Sequence, residues 1–164
     1  MTAGTPAGAG QVRNPFKSFL SPGADQIDIT FYATNISLTA GQSLPSQINI
    51  DAGTDFYWFA SSYQADLGGV AFDPVSNQPL VPLITVIITD TGSQRNLMNQ
   101  AVPVTTIAGD GKLPYRLLLP RLFKANSIVQ FNWSSYEDTN ADSLRFVMHG
   151  FRLPPNADFS QYFR

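Results

Sequence analysis

The chain has 164 residues, enough for one domain with a substantial core and too few to expect two. Hydrophobic residues make up 43% and charged residues only 13%, with no cysteine, which excludes a disulfide framework and thiolate metal sites. Ten basic and twelve acidic residues are scattered without a block, giving a net charge of −2 and no electrostatic footprint for nucleic acid.

The first ten residues, MTAGTPAGAG, are small and uncharged and hold nothing that offsets the entropy of ordering them. They are neither basic nor followed by an apolar core like that of a signal peptide, and no apolar run reaches the roughly 18 residues of a membrane helix. The expectation is a soluble protein made in a cytoplasm. From Gln11 the composition changes: Val12, Phe16, Phe19 and Leu20 arrive with Arg13 and Lys17, as in a short helical turn packed on the barrel or, the favoured reading, an extended arm that docks on a neighbour.

Residues 27–34, IDITFYAT, alternate, with Ile27, Ile29 and Phe31 on one face and Asp28, Thr30 and Tyr32 on the other, the pattern of a half-buried strand. A turn at Thr39-Ala40-Gly41-Gln42 leads to a shorter strand over 44–50, which stops at Asp51-Ala52-Gly53. Residues 55–66, DFYWFASSYQAD, place Phe56 and Trp58 on one face and Tyr57 and Phe59 on the other. Residues 67–82 read as a long loop with at most a short strand at 70–72, of the kind that is usually functional.

Residues 83–91 are the strongest strand signal, because Ile84, Thr85, Val86, Ile87, Ile88 and Thr89 are all β-branched. Both faces are largely apolar, so a central strand covered on both sides is expected. It should end at the corner Asp90-Thr91-Gly92-Ser93, with positive φ supplied by Gly92. An irregular crossing, RNLMNQAVP, follows, anchored by Leu97, Met98 and Val102. Gly109-Asp110-Gly111 is a turn; the Walker pattern fails at Leu113 and Pro114. Residues 114–119, PYRLLL, form a strand bounded by Pro114 and Pro120, which suits a sheet edge.

The last two strands are 128–134, with Val129, Phe131 and Trp133 together, and 144–153, with Leu144, Phe146 and Met148 opposite Val147, His149 and Phe151. The fold class is therefore all-β: a single jelly-roll-like sandwich or barrel of about eight antiparallel strands with extended terminal arms. The organisation is an N-terminal arm over 1–24, a β-domain over 25–153 and a docking tail over 154–164, whose Phe159, Tyr162 and Phe163 need a surface to cover them.

No catalytic or metal-binding set stands out. The one histidine, His149, reads as a packed or hydrogen-bonded strand residue, and no GxSxG elbow is present. The acidic hairpin 137–142 lacks the glycine and the terminal acid of an EF-hand and reads as a solvated tip. Trp58, Tyr57, Tyr63 and Trp133 could make a platform for sugar rings, but both tryptophans lie in alternating apolar sets and read as core. No catalytic residue, metal ligand or cofactor is expected.

The segment TDTGSQRNLMNQAVPVTTIAGDGKLPYRLLLPRLFKANS, followed by a strand of the IVQFNW type, resembles part of the small head auxiliary, cement or decoration proteins of tailed bacteriophages. The resemblance spans about a third of the chain. It implies a non-enzymatic virion protein that assembles, as a homotrimer, on the outside of a capsid, contacts the major capsid protein and clamps adjacent capsomers, touching neither nucleic acid nor membrane. Aromatic and arginine anchors carry most interface energy, so Arg13, Phe16, Arg95, Asn96, Met98, Arg121, Tyr162 and Phe163 are the expected interface residues. Arg95 and Asn96 follow from the resembling motif, Tyr162 and Phe163 from composition alone. The alternative is a receptor- or carbohydrate-binding jelly-roll module of a phage tail or spike, using Tyr57, Tyr63 and the 67–82 loop. A hydrolase built on His149 ranks last.

Overall fold

A computed structural model describes residues 28–67, 81–136 and 142–157. The expected strand over 70–72, the tip of the acidic hairpin, the N-terminal arm and the C-terminal tail beyond residue 157 lie outside the described residues. Those that are described form ten strands, three of them only two residues long, and one four-residue helical turn, α1, at Val104–Ile107.

The strands build two sheets. In the first, β1 (Asp28–Leu38) pairs with β10 (Asp142–Leu153), β10 with β3 (Asp55–Leu67), and β3 along its far edge with both β7 (Gly109–Asp110) and β8 (Tyr115–Phe123). In the second, β2 (Ser43–Asn49) pairs with β9 (Ile128–Ser135) and β9 with β4 (Ile84–Asp90), whose far edge takes β5 (Arg95–Asn96) and β6 (Val102–Pro103). The chain crosses from sheet to sheet after β1, β2, β3 and β6, and again on either side of β9, the winding of a jelly roll. All pairings are antiparallel except the two-residue ladder of β7 on β3, which is parallel.

Period-two alternation fixes the core. Val129, Phe131 and Trp133 of β9 face Leu144, Phe146 and Met148 of β10 across the sandwich, and all six are buried. Phe131 stacks on Trp133 with centroids 5.4 Å apart, and Phe146 lies tilted against both rings at 5.6 Å. Each such aromatic removes enough apolar surface from water to contribute about 2–3 kcal/mol. Neither indole N–H is left unsatisfied: Trp133 Nε1 donates to Ser46 Oγ at 2.8 Å and Trp58 Nε1 to the Ala60 carbonyl at 2.7 Å.

Three expectations need correction. In β4 only Ile84, Val86, Ile88 and Asp90 are buried, while Thr85, Ile87 and Thr89 are half-exposed, so the strand is central within its sheet but covered on one side. In β1 the faces are reversed: Ile36 and Leu38 reach the core, with Tyr32 packed beside it, whereas Ile29 and Phe31 point outward. At the β4 corner the positive φ belongs to Gln94, at 54°, and not to Gly92. Gly92 is needed there for room, because a Cβ would lie 2.8 Å from Ser127 Cβ.

The edges follow the chemistry of proline. Pro45 lies in β2, an edge strand of the second sheet, where an absent N–H costs no ladder bond. The ladder of β10 on β3 shifts between His149 and Gly150, where Phe59 of β3 has no partner, and the ladder of β8 on β3 shifts at the same residue. Gly150 is buried there with Phe56 lying on it, and a Cβ would overlap that ring.

Candidate interaction surface

The corner after β4 is held by one carboxylate. Asp90 Oδ1 accepts the N–H groups of Gly92 at 3.0 Å and Ser93 at 3.4 Å, and Oδ2 accepts the Ser93 hydroxyl at 2.7 Å. The chain then doubles back as β5, so that Thr89 Oγ1 donates to Asn96 Oδ1 at 2.8 Å and the Leu97 N–H to the Ile88 carbonyl at 2.8 Å. Of the expected interface residues, Arg95 and Asn96 are exposed on this edge, while Met98, two residues on, is half-buried against the core. Arg121 lies opposite Trp58 in the other sheet and reaches back to Asp90. Arg13, Phe16, Tyr162 and Phe163 fall outside the described residues, and so are not brought together with these four here.

The apolar surface concentrates instead on β8. Its pairing with β3 is regular from Phe123↔Phe56 to Arg121↔Trp58 and resumes at Arg116↔Ala60. Between those points β8 spends Leu117, Leu118, Leu119 and Pro120 against the single residue Phe59. An excess this large forces the strand out of the ladder. Leu117 turns in against the core, Leu118 is wholly exposed, Leu119 is 81% exposed, and Tyr115 and Leu113 are exposed beside them. Large side chains standing in water on an edge that no other described strand covers mark an interaction site, because edges without a partner are usually blunted by charge.

The candidates for sugar stacking disperse. Trp58 and Trp133 are core, Tyr63 packs against the core, and Tyr57 is buried with its ring stacked on Phe151 at 5.3 Å. Most of the 67–82 loop lies outside the described residues. His149 Nε2 and Ser62 Oγ are 2.8 Å apart, and Phe31 lies edge-on to the imidazole at 5.1 Å. Burial holds the imidazole below its ordinary pKa, and no carboxylate among the described residues contributes to that shift. Among the described residues the pair thus has a hydroxyl and a base but no acid that orients the ring.

The Gly109 turn is closed by Asp110 Oδ1, which accepts the N–H groups of Lys112 at 3.0 Å and Leu113 at 2.7 Å. Among the described residues no group of three or more His, Asp or Glu side chains could hold a metal ion, and no helix is long and apolar enough to cross a membrane.

Leu118 and Leu119 are not among the expected interface residues, although the Pro-bracketed PYRLLL run reads as a strand at a sheet edge. The available signal is that three consecutive leucines cannot all occupy the inward face of a strand of period two. Comparison with protein-family models, with curated proteins and with solved structures finds no match for this chain.

Proposed function

We propose that this chain is a non-enzymatic virion structural protein of a tailed bacteriophage, one that binds the outside of the capsid and stabilises it by bridging capsomers. The observation that carries this reading is the bulged edge of β8, where Leu118 and Leu119 stand in water on an otherwise well-packed jelly roll. The segment resembling decoration proteins runs from the Asp90 corner through β8, so resemblance and exposed surface fall on the same stretch. Its partners are then the major capsid protein and further copies of the chain, as a homotrimer, with Arg95, Asn96 and Arg121 near the rim of the contact.

The test is the solution mass by light scattering, with co-sedimentation on purified heads of the phage that carries the gene. A trimer, or stoichiometric attachment to heads, each lost in L118D/L119D, is the expected result. A monomer that does not attach to heads overturns the reading.

A further inference from the structure

The geometry points to a second binding site, on the outer face of the first sheet, for a short acidic oligosaccharide. Register places Asn35, Arg145 and Gln64 in one row across β1, β10 and β3, and Ser37, Ser143 and Asp66 in the next. These six side chains line a depression of about 320 Å³.

Arg145 sets the specificity. Its Nε donates to Asn35 Oδ1 at 2.9 Å, which fixes the guanidinium plane and leaves Nη1 and Nη2 as a two-pronged donor. Arg152, on the same strand, is paired with both Asp28 and Asp51, whereas no described carboxylate forms an ion pair with Arg145. A fork of this kind fits a carboxylate. Around it lie the amides of Asn35 and Gln64, the hydroxyls of Ser37 and Ser143, bonded to each other at 3.2 Å, and the carboxylate of Asp66, which only accepts and so suits sugar hydroxyls away from the Arg145 fork. Such a lining matches the hydroxyls of a sugar.

Phe31 lies on the same outward face of β1, four residues before Asn35 and therefore about 14 Å away. Phe31 is 61% exposed. The floor between them is low, made of Ala33 and Val147, which are paired. A chain of rings can then lie with its carboxylate on Arg145 and the apolar face of another ring on Phe31. A peptide strand would instead seek a free sheet edge, and in this row β10 is paired on both sides.

The experiment uses the full chain with 3′-sialyllactose, digalacturonate and neutral lactose as probes, followed by titration calorimetry and saturation-transfer NMR. At least one acidic probe is expected to bind tenfold or more tightly than lactose. R145Q should bring it down to the level of lactose, and R145K, which keeps the charge without the fork, should fall between. F31A should weaken acidic and neutral sugars alike. Both side chains are on the surface, so the melting temperatures of the three variants should not move. Absence of binding by both acidic probes at millimolar concentration, or equal binding by wild type and R145Q, overturns the site. Repeating the titration on L118D/L119D separates this site from the β8 edge, since sugar binding should survive there.

Discussion

Arg121, in the edge strand of one sheet, reaches Asp90, at the end of the central strand of the other, with Nη2 3.9 Å from Oδ2. The partners are unequal. Asp90 is buried and already accepts three hydrogen bonds from its own corner, while the arginine side chain is 41% exposed. Asp90→Ala should therefore cost about 2 kcal/mol, by leaving corner donors without an acceptor. Arg121→Ala should cost less than about 1 kcal/mol, as for other exposed pairs. Urea denaturation of both variants and the double variant checks this; equal losses would mean that the ion pair, and not the corner, holds the sheets.

Gly150→Ala should be among the most damaging single-methyl changes in the chain. The added Cβ runs into the Phe56 ring, which is buried against Phe123 and Tyr32 and has no room to retreat. A loss of about 3 kcal/mol is expected, read from thermal or urea unfolding. Gly111→Ala, where a Cβ meets nothing, is the control and should stay close to wild type.

Acid should unfold the protein in part through Asp55. Burial pushes its carboxyl up, but Lys124 Nζ at 2.9 Å and the N–H groups of Ala125 at 2.9 Å and Asn156 at 3.3 Å outweigh it and hold the pKa below the ordinary value. Between the folded and unfolded values the unfolded chain binds more protons, so stability rises with pH. The contribution is complete above about pH 4 and disappears as the pH falls through the folded value. Asp55→Asn should lose about 2 kcal/mol at neutral pH and show a flatter acid limb in stability measured against pH.

L118D/L119D should leave the fold alone, with a stability change within about 0.5 kcal/mol, because neither side chain packs on the core. Self-association and head attachment should both be lost. A variant that assembles as well as wild type would remove β8 from the interface.

The strands were legible where alternation is long: residues 55–66 were expected against an observed Asp55–Leu67, and 128–134 against Ile128–Ser135. Alternation reveals a period, but not which phase faces inward, when both faces carry large side chains. That is how β1 came out reversed, since Tyr32 and Ile36 compete with Ile29 and Phe31 and the register with β10 decides between them. The two-residue strands β5, β6 and β7 are too short to have a period at all. The site was less legible than the fold, because the β8 protrusion comes from four residues set against one, a property of two strands together. The Asn35, Arg145 and Gln64 row is likewise assembled from three distant segments that only pairing brings together.

Asp28 at the start of β1 pairs with Arg152 near the end of β10, so the chain enters and leaves the sandwich at the same pole. Tension applied through the two ends would pull across the ladder and open it like a zipper, one pair after another, where a shearing load would have to break many bonds together. The first teeth of that zipper are the ion pairs of Arg152 with Asp28 and Asp51. The sandwich is therefore mechanically weak when loaded between Asp28 and Arg152.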